Sequence, residues 1–90
     1  MKRAAKDSRI IDIVASNVRT ARKIAGLSQE ELAHEAELDR TYISQVERKQ
    51  RNVTISVLAR IAKALGTTPD QLLIPPALSS PAKQGRKRKR

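Results

Sequence analysis

The sequence contains no cysteine, tryptophan or phenylalanine, and its 90 residues include one tyrosine and one histidine. Without cysteine the chain can form no disulfide, no thiol nucleophile and no cysteine-based metal site, so redox chemistry is not expected. This composition suits a reducing compartment. We therefore expect a cytoplasmic protein.

Long apolar runs are also absent. The longest apolar stretches, such as residues 57–59 and 72–74, are far shorter than a membrane-spanning helix. The N-terminus lacks the apolar core of a secretory signal peptide. We expect a protein that neither enters a membrane nor is secreted.

Catalytic constellations are missing as well. The single histidine, His34, lies between Ala33 and Glu35 and has no nucleophile, paired carboxylates or phosphate-binding loop beside it. The acidic pair Glu30 and Glu31 is explained by helix capping and the helix dipole. We therefore predict an exposed helical histidine, no catalytic residue, no metal site, no cofactor and no enzymatic activity.

What the chain does have is positive charge, and most of it lies at the ends. The net charge is +10, but residues 1–9 carry +3, residues 10–74 only +1, and residues 75–90 the remaining +6. The C-terminal segment is rich in proline, serine and glycine and has little to bury, so we expect a disordered basic tail. It could be a solubility tail or a nuclear address, but attraction to phosphates is the favoured interpretation.

The length bounds the fold. Residues 1–8 are interpreted as a basic N-terminal arm, residues 9–74 as one folded domain and residues 75–90 as the tail. A domain of about 65 residues buries only about 60% of its unfolded surface, which makes it marginally stable. Dimerisation would add to that stability.

Apolar spacing and caps predict five helices. The first spans residues 9–25, with Ile10 on its apolar face, and stops at Gly26. Ser28 and Glu31 form a capping box that starts the second. The remaining helices should begin at three polar caps, and the last of these starts a second capping box with Gln71. These caps are Asp39, Thr54 and Thr68.

Residues 29–46 have the pattern of two short helices that cross at a tight corner. Ala33 is small enough for close approach of the second helix, and Leu38 fills the corner. Glu37 ends the first helix at a position that often adopts a left-handed conformation, where a residue other than glycine costs about 1 kcal/mol. The pattern is that of a helix-turn-helix, and the alternative is an ordinary helical hairpin in a small all-α domain.

The outer face of the second helix of this pair favours nucleic-acid binding. Its polar side chains can form hydrogen bonds with base edges and phosphates in a major groove. These side chains are Arg40, Thr41, Ser44 and Gln45. Their chemistry favours double-stranded DNA as the partner over the hairpin alternative.

The segment GLSQEELAHEAELDRTYISQVERKQRNVTISVLARIAKALGTTPDQLL resembles the Cro and phage-repressor (XRE) type of helix-turn-helix domain. Within that family, DRTYISQVERKQRNVTI is most similar to the controller proteins of restriction-modification systems. The resemblance implies an all-α, five-helix, lambda-repressor-like DNA-binding domain. The sequence departs from the family pattern at Glu37 and Lys49, where glycine is common, and at Val53, where proline is common.

The resemblance also implies roles for individual residues. Base contacts fall on the four residues of the outer face. Phosphate contacts fall on Gln29, Tyr42, Arg48 and Arg51, although Tyr42 could also pack or contact a base. Arg22 and Glu47 match a structural ion pair.

These observations favour a homodimeric transcriptional regulator, a repressor or controller protein that binds a palindromic operator and is associated with the nucleoid. The dimer interface is expected at Leu72, Leu73 and Ile74, with the outer face of the fourth helix. The alternative is a protein-interaction module, such as a coactivator or an antitoxin. The polar outer face favours DNA, and no long partner-binding segment other than the tail supports the antitoxin.

Overall fold

The computed structural model describes the backbone of residues 2–76 and the side chains of residues 9–76. The described chain folds into five helices, as expected. They are α1 (Lys2–Ala25), α2 (Gln29–Ala36), α3 (Arg40–Glu47), α4 (Ile55–Leu65) and α5 (Pro69–Leu72). The expected basic tail, apart from residues 75 and 76, lies outside the described residues.

Helix α1 begins at Lys2, seven residues before the predicted start. The expectation of a separate arm over residues 1–8 is therefore wrong for the backbone of residues 2–8. The prediction placed the start beside the first apolar residue of the stripe. However, the preceding sequence is rich in alanine, lysine and arginine, which have high helix propensity and extend a helix without burying a face.

Local capping sets three of the other boundaries. Ser28 and Glu31 form the predicted reciprocal capping box, with hydrogen bonds of 3.0 and 2.8 Å. The Thr54 hydroxyl accepts the amide hydrogen of Val57 at 3.2 Å and starts α4. Gly66 ends α4 in the left-handed region, with φ of 77°, which glycine adopts without steric strain.

At two predicted caps the side chain does not form the expected capping hydrogen bond. Asp39 is the residue before α3, but its side chain makes no capping hydrogen bond. Thr68 likewise precedes α5 without a side-chain cap, so the second capping box is not formed. The Thr68 side chain instead hydrogen-bonds to Asp70, and this bond holds the pKa of the Asp70 carboxyl below its usual value of 3.8.

All five helices contribute to one hydrophobic core. Helix α2 packs against α3 and α4, while α1 packs against α3, α4 and α5. The largest fully buried side chains are Val18, Leu32, Ile43, Val46, Ile61, Leu65 and Leu72. The core thus holds the two helices of the predicted helix-turn-helix against both α1 and α4.

A buried polar residue joins the two ends of this domain. Asn17 is 2% exposed in the middle of α1. Its Nδ2 atom donates hydrogen bonds to the carbonyls of Leu72 at 2.9 Å and Ile74 at 2.7 Å. Because the end of α5 has no further helical turn to supply donors to those carbonyls, Asn17 satisfies them and fixes α5 against α1.

Candidate nucleic-acid interface

Helix α3 presents the polar outer face that the sequence predicted. Ile43 and Val46 point into the core, where they are 0% and 1% exposed. On the other side of the helix Arg40 and Thr41 are exposed, and Ser44 and Gln45 are half-buried. The helix is therefore anchored on one face and offers hydrogen-bonding groups on the other, which is what major-groove recognition requires.

The corner between α2 and α3 has the expected left-handed residue. Glu37 has φ of 60° and ψ of 46°, and Ala33 beside it is 2% exposed. The sequence did not indicate the partner of this corner, which is Arg60 of α4. Arg60 Nε donates to the carbonyl of Ala36 at 3.1 Å, and Arg60 Nη2 donates to the carbonyl of Glu37. Arg60 thus caps the end of α2 and ties the corner to α4.

A buried carboxylate connects α3 to the two preceding helices. Glu47 forms the expected ion pair with Arg22, with Arg22 Nε 2.7 Å from Glu47 Oε2 and Nη2 3.0 Å from Oε1. Arg22 Nη1 also donates to the carbonyl of Leu27 at 2.9 Å. This two-pronged geometry fixes the orientation of α3 relative to α1.

Gln29 is engaged at the same carboxylate. Its Nε2 donates to Glu47 Oε1 at 3.0 Å. Gln29 is the first residue of α2, as expected, and the backbone N–H groups at this end of the helix attract anions. The side chain, however, is held towards Glu47. A phosphate at the start of α2 would therefore contact the helix N-terminus and the Gln29 side chain, whose orientation is set by its hydrogen bond to the buried Glu47 carboxylate.

Three side chains form a cluster at the edge of the outer face of α3. The guanidinium carbon of Arg51 lies 4.4 Å from the centroid of the Tyr42 ring. Arg51 also donates two hydrogen bonds to Gln45 Oε1, from Nε at 3.1 Å and from Nη2 at 2.8 Å. Tyr42 is half-buried and packs against the core. We call Tyr42, Arg51 and Gln45 the stacked cluster.

The loop after α3 continues the basic edge of this surface. Arg48 is exposed and ends the helix. Lys49 adopts a left-handed conformation with φ of 64°, at the second position where the family commonly has glycine. Lys49 Nζ lies 4.0 Å from Asp12 Oδ1 between two exposed side chains, so this contact adds little stability.

The expected dimer residues have different environments. Leu72 is 0% exposed in the core of its own chain, so its assignment to an interface is wrong. Leu73 is 42% exposed, and Ile74 is half-buried. The short length of α5 explains the error, because a periodic pattern needs more than one turn to show which face is covered by the chain itself.

Sequence reasoning missed two other apolar side chains beside Leu73. Ile55, the first residue of α4, is 84% exposed, and Ile10, expected on the buried face of α1, is 43% exposed. Both border a groove that Leu73 also lines and whose floor includes Val14 and Leu58. We call Ile10, Ile55 and Leu73 the apolar patch.

Other kinds of site find little support within the described part of the chain. No three acidic, histidine or cysteine side chains between residues 9 and 76 are grouped as metal ligands would be. No described helix has the length and apolar content needed to cross a membrane. His34 is exposed on α2.

Comparison with known proteins agrees with this geometry. Residues 18–72, more than half of the chain, match the model of a helix-turn-helix family. The chain belongs to the helix-turn-helix family of DNA-binding transcriptional regulators. The matched region includes α2, α3, α4 and α5 and the second part of α1.

Controller proteins are among the similar sequences. Control protein C.SmaI of Serratia marcescens is 56% identical over 64 residues, which are 71% of this chain and 76% of that protein. Control protein C.BamHI of Bacillus amyloliquefaciens is 51% identical over 49 residues, 54% of this chain and 60% of that protein. The all-α fold is shared by solved structures of this family.

Two such structures superimpose closely. A hypothetical transcription factor from Neisseria has a TM-score of 0.74 at 47% sequence identity. The match covers 76% of this chain and 78% of that protein's chain. The restriction-modification controller protein C.AhdI from Aeromonas hydrophila has a TM-score of 0.67 at 40% sequence identity. The match covers 69% of this chain and 94% of that protein's chain. The resemblance to controller proteins found in the sequence is therefore confirmed.

Proposed function

We propose that this helix-turn-helix protein is a sequence-specific regulator that binds a palindromic operator as a homodimer, in the manner of a restriction-modification controller protein. The observation that carries the proposal is the exposed polar face of α3 on a helix fixed by a buried ion pair. Arg40, Thr41, Ser44 and Gln45 would contact bases. The protein would act on DNA in the cytoplasm.

The surroundings of α3 support phosphate contacts on both sides. Arg48 lies directly after the helix, and the N-terminus of α2, with Gln29, lies before it. Arg51 and Tyr42 lie at the edge of the same face. Contacts of this kind set the register of a recognition helix on the duplex, while the side chains in the groove supply the sequence preference.

The apolar patch supports the dimer. Ile10, Ile55 and Leu73 surround a groove and expose large apolar side chains on a small domain that gains from further burial. A two-fold contact through this patch would place two copies of α3 on one face of the DNA. For operator binding their separation must be about 34 Å, one turn of the duplex.

Sedimentation velocity at micromolar concentration, combined with titration of a palindromic site and a single half-site, tests this proposal. We expect the unmodified protein to sediment as a dimer and to bind the palindrome more tightly. Ile55→Asp should sediment as a monomer and lose that advantage, because a charge would enter the interface. Thr20→Asp, at an exposed position of α1, controls for the added negative charge.

One result would contradict the dimer directly. It is a strictly monomeric protein that binds a half-site as tightly as the palindrome. Sequence preference would then reside in a single copy of α3.

A further inference from the structure

The stacked cluster fixes which hydrogen-bonding groups Gln45 can offer to DNA. We infer that Arg51 is a specificity-positioning residue. By occupying the side-chain oxygen of Gln45, it makes Gln45 a donor-only group that selects guanine or thymine over adenine. This inference rests on the proposed function, since it concerns the base contacts of α3. It assigns to Arg51 a role beyond the phosphate contact expected from the resemblance.

The orientation of the Gln45 amide follows from the chemistry of its partner. A guanidinium group has only donors, so the atom that faces Arg51 must be the amide oxygen and not the amide nitrogen. Two N–H groups, at 3.1 and 2.8 Å, fill the two lone pairs of that oxygen. The Nε2 group, with its two hydrogens, is then the part of Gln45 that remains to contact a base.

Tyr42 keeps Arg51 in this position. The ring is packed against the core from one side, and the guanidinium lies over it at 4.4 Å. Stacking uses the flat face of the guanidinium and leaves its edge for hydrogen bonds. The fork of Nε and Nη2 is therefore aimed along α3 at Gln45, which lies six residues earlier in the chain.

The consequence for base preference is specific. A glutamine that contacts adenine with two hydrogen bonds donates to N7 and accepts from the N6 amino group. Gln45 cannot accept while Arg51 holds its oxygen. Guanine offers the acceptors O6 and N7 in the major groove, and thymine offers O4, so a donor-only amide matches these edges.

Selection of binding sites from a randomised duplex library tests the inference. Arg51→Lys keeps the positive charge but removes the two-pronged interaction with Gln45. We expect its salt dependence to match that of the unmodified protein. At one position of each half-site, discrimination against adenine should fall by about tenfold, the effect of one good base contact. Arg19→Lys, which changes an exposed arginine of α1 in the same way, should select the original site.

A second comparison separates positioning from direct contact. In a Gln45→Ala background the preference at that position should already be absent, and Arg51→Lys should change it no further. An unchanged selected site for Arg51→Lys would overturn the inference. So would an equal effect of Arg51→Lys with and without Gln45, because Arg51 would then act on the DNA itself. If the unmodified protein selects no site, the proposed function fails together with the inference.

Discussion

The buried ion pair between Arg22 and Glu47 should be the most sensitive polar contact in the domain. The Glu47 side chain is 2% exposed and that of Arg22 is 12% exposed. Replacing Glu47 by alanine leaves the guanidinium of Arg22 without its anion and also removes the acceptor of Gln29. Loss of one partner of a buried pair costs about 3–5 kcal/mol.

That magnitude is large for a domain of this size. Small domains have a total stability of roughly 0.05–0.15 kcal/mol per residue, so about 65 residues give only about 3–10 kcal/mol. We expect Glu47→Ala to lower the midpoint of urea unfolding by about a third or more, without a change in the slope. Far-UV circular dichroism during a urea titration measures both quantities.

The second ion pair provides a matched control. Asp12 and Lys49 are 4.0 Å apart, and their side chains are 52% and 57% exposed. Asp12→Ala should therefore cost less than about 1 kcal/mol. The double change Arg22→Met with Glu47→Leu should recover part of the stability that Glu47→Ala removes, because it leaves no unpaired buried charge. If Glu47→Ala costs no more than Asp12→Ala, the argument from burial is refuted.

Two further predictions concern the corner and the tail. Glu37→Gly should raise the melting temperature by several degrees, because it relieves about 1 kcal/mol of left-handed strain while the Arg60 bonds to the backbone remain. A lower melting temperature in a thermal scan would contradict this. Deleting residues 83–90 should reduce the slope of log affinity against log salt by about 0.9 for each phosphate that the tail neutralises, and should leave operator preference intact. An unchanged slope would show that the tail does not bind DNA.

Local patterns predicted the helix-turn-helix well, because its chemistry lies within a few residues of chain. The Ser28 capping box, the left-handed Glu37 and the inward Ile43 all depend on spacing that can be read along the sequence. Helix ends without such a mark were less predictable. Helix α1 continues to Lys2 through residues that favour a helix without contributing to the apolar stripe.

Contacts between distant segments could not be derived in this way. Asn17 lies within the apolar stripe of α1, and only its bonds to carbonyls 55 and 57 residues away explain it. Arg60 resembles any exposed arginine of an amphipathic helix until α4 is placed against the corner. The spacing of apolar residues also does not show which of them are buried by other parts of the same chain. For this reason the sequence predicts an interface at Leu72, which is buried in the core, and does not indicate the exposed Ile55.

The most direct test of the central claim compares two arginines of the proposed DNA-binding surface, one on α3 and one just after it. Arg40→Ala should cost about 1–3 kcal/mol in binding to the selected operator and much less on random duplex DNA, because the alanine cannot bond to a base edge. Arg48→Ala should weaken both equally, because the alanine cannot hold a phosphate and every duplex has phosphates. Fluorescence anisotropy titrations on the two duplexes measure these changes in affinity. Equal weakening on both duplexes for Arg40→Ala would contradict sequence recognition by α3.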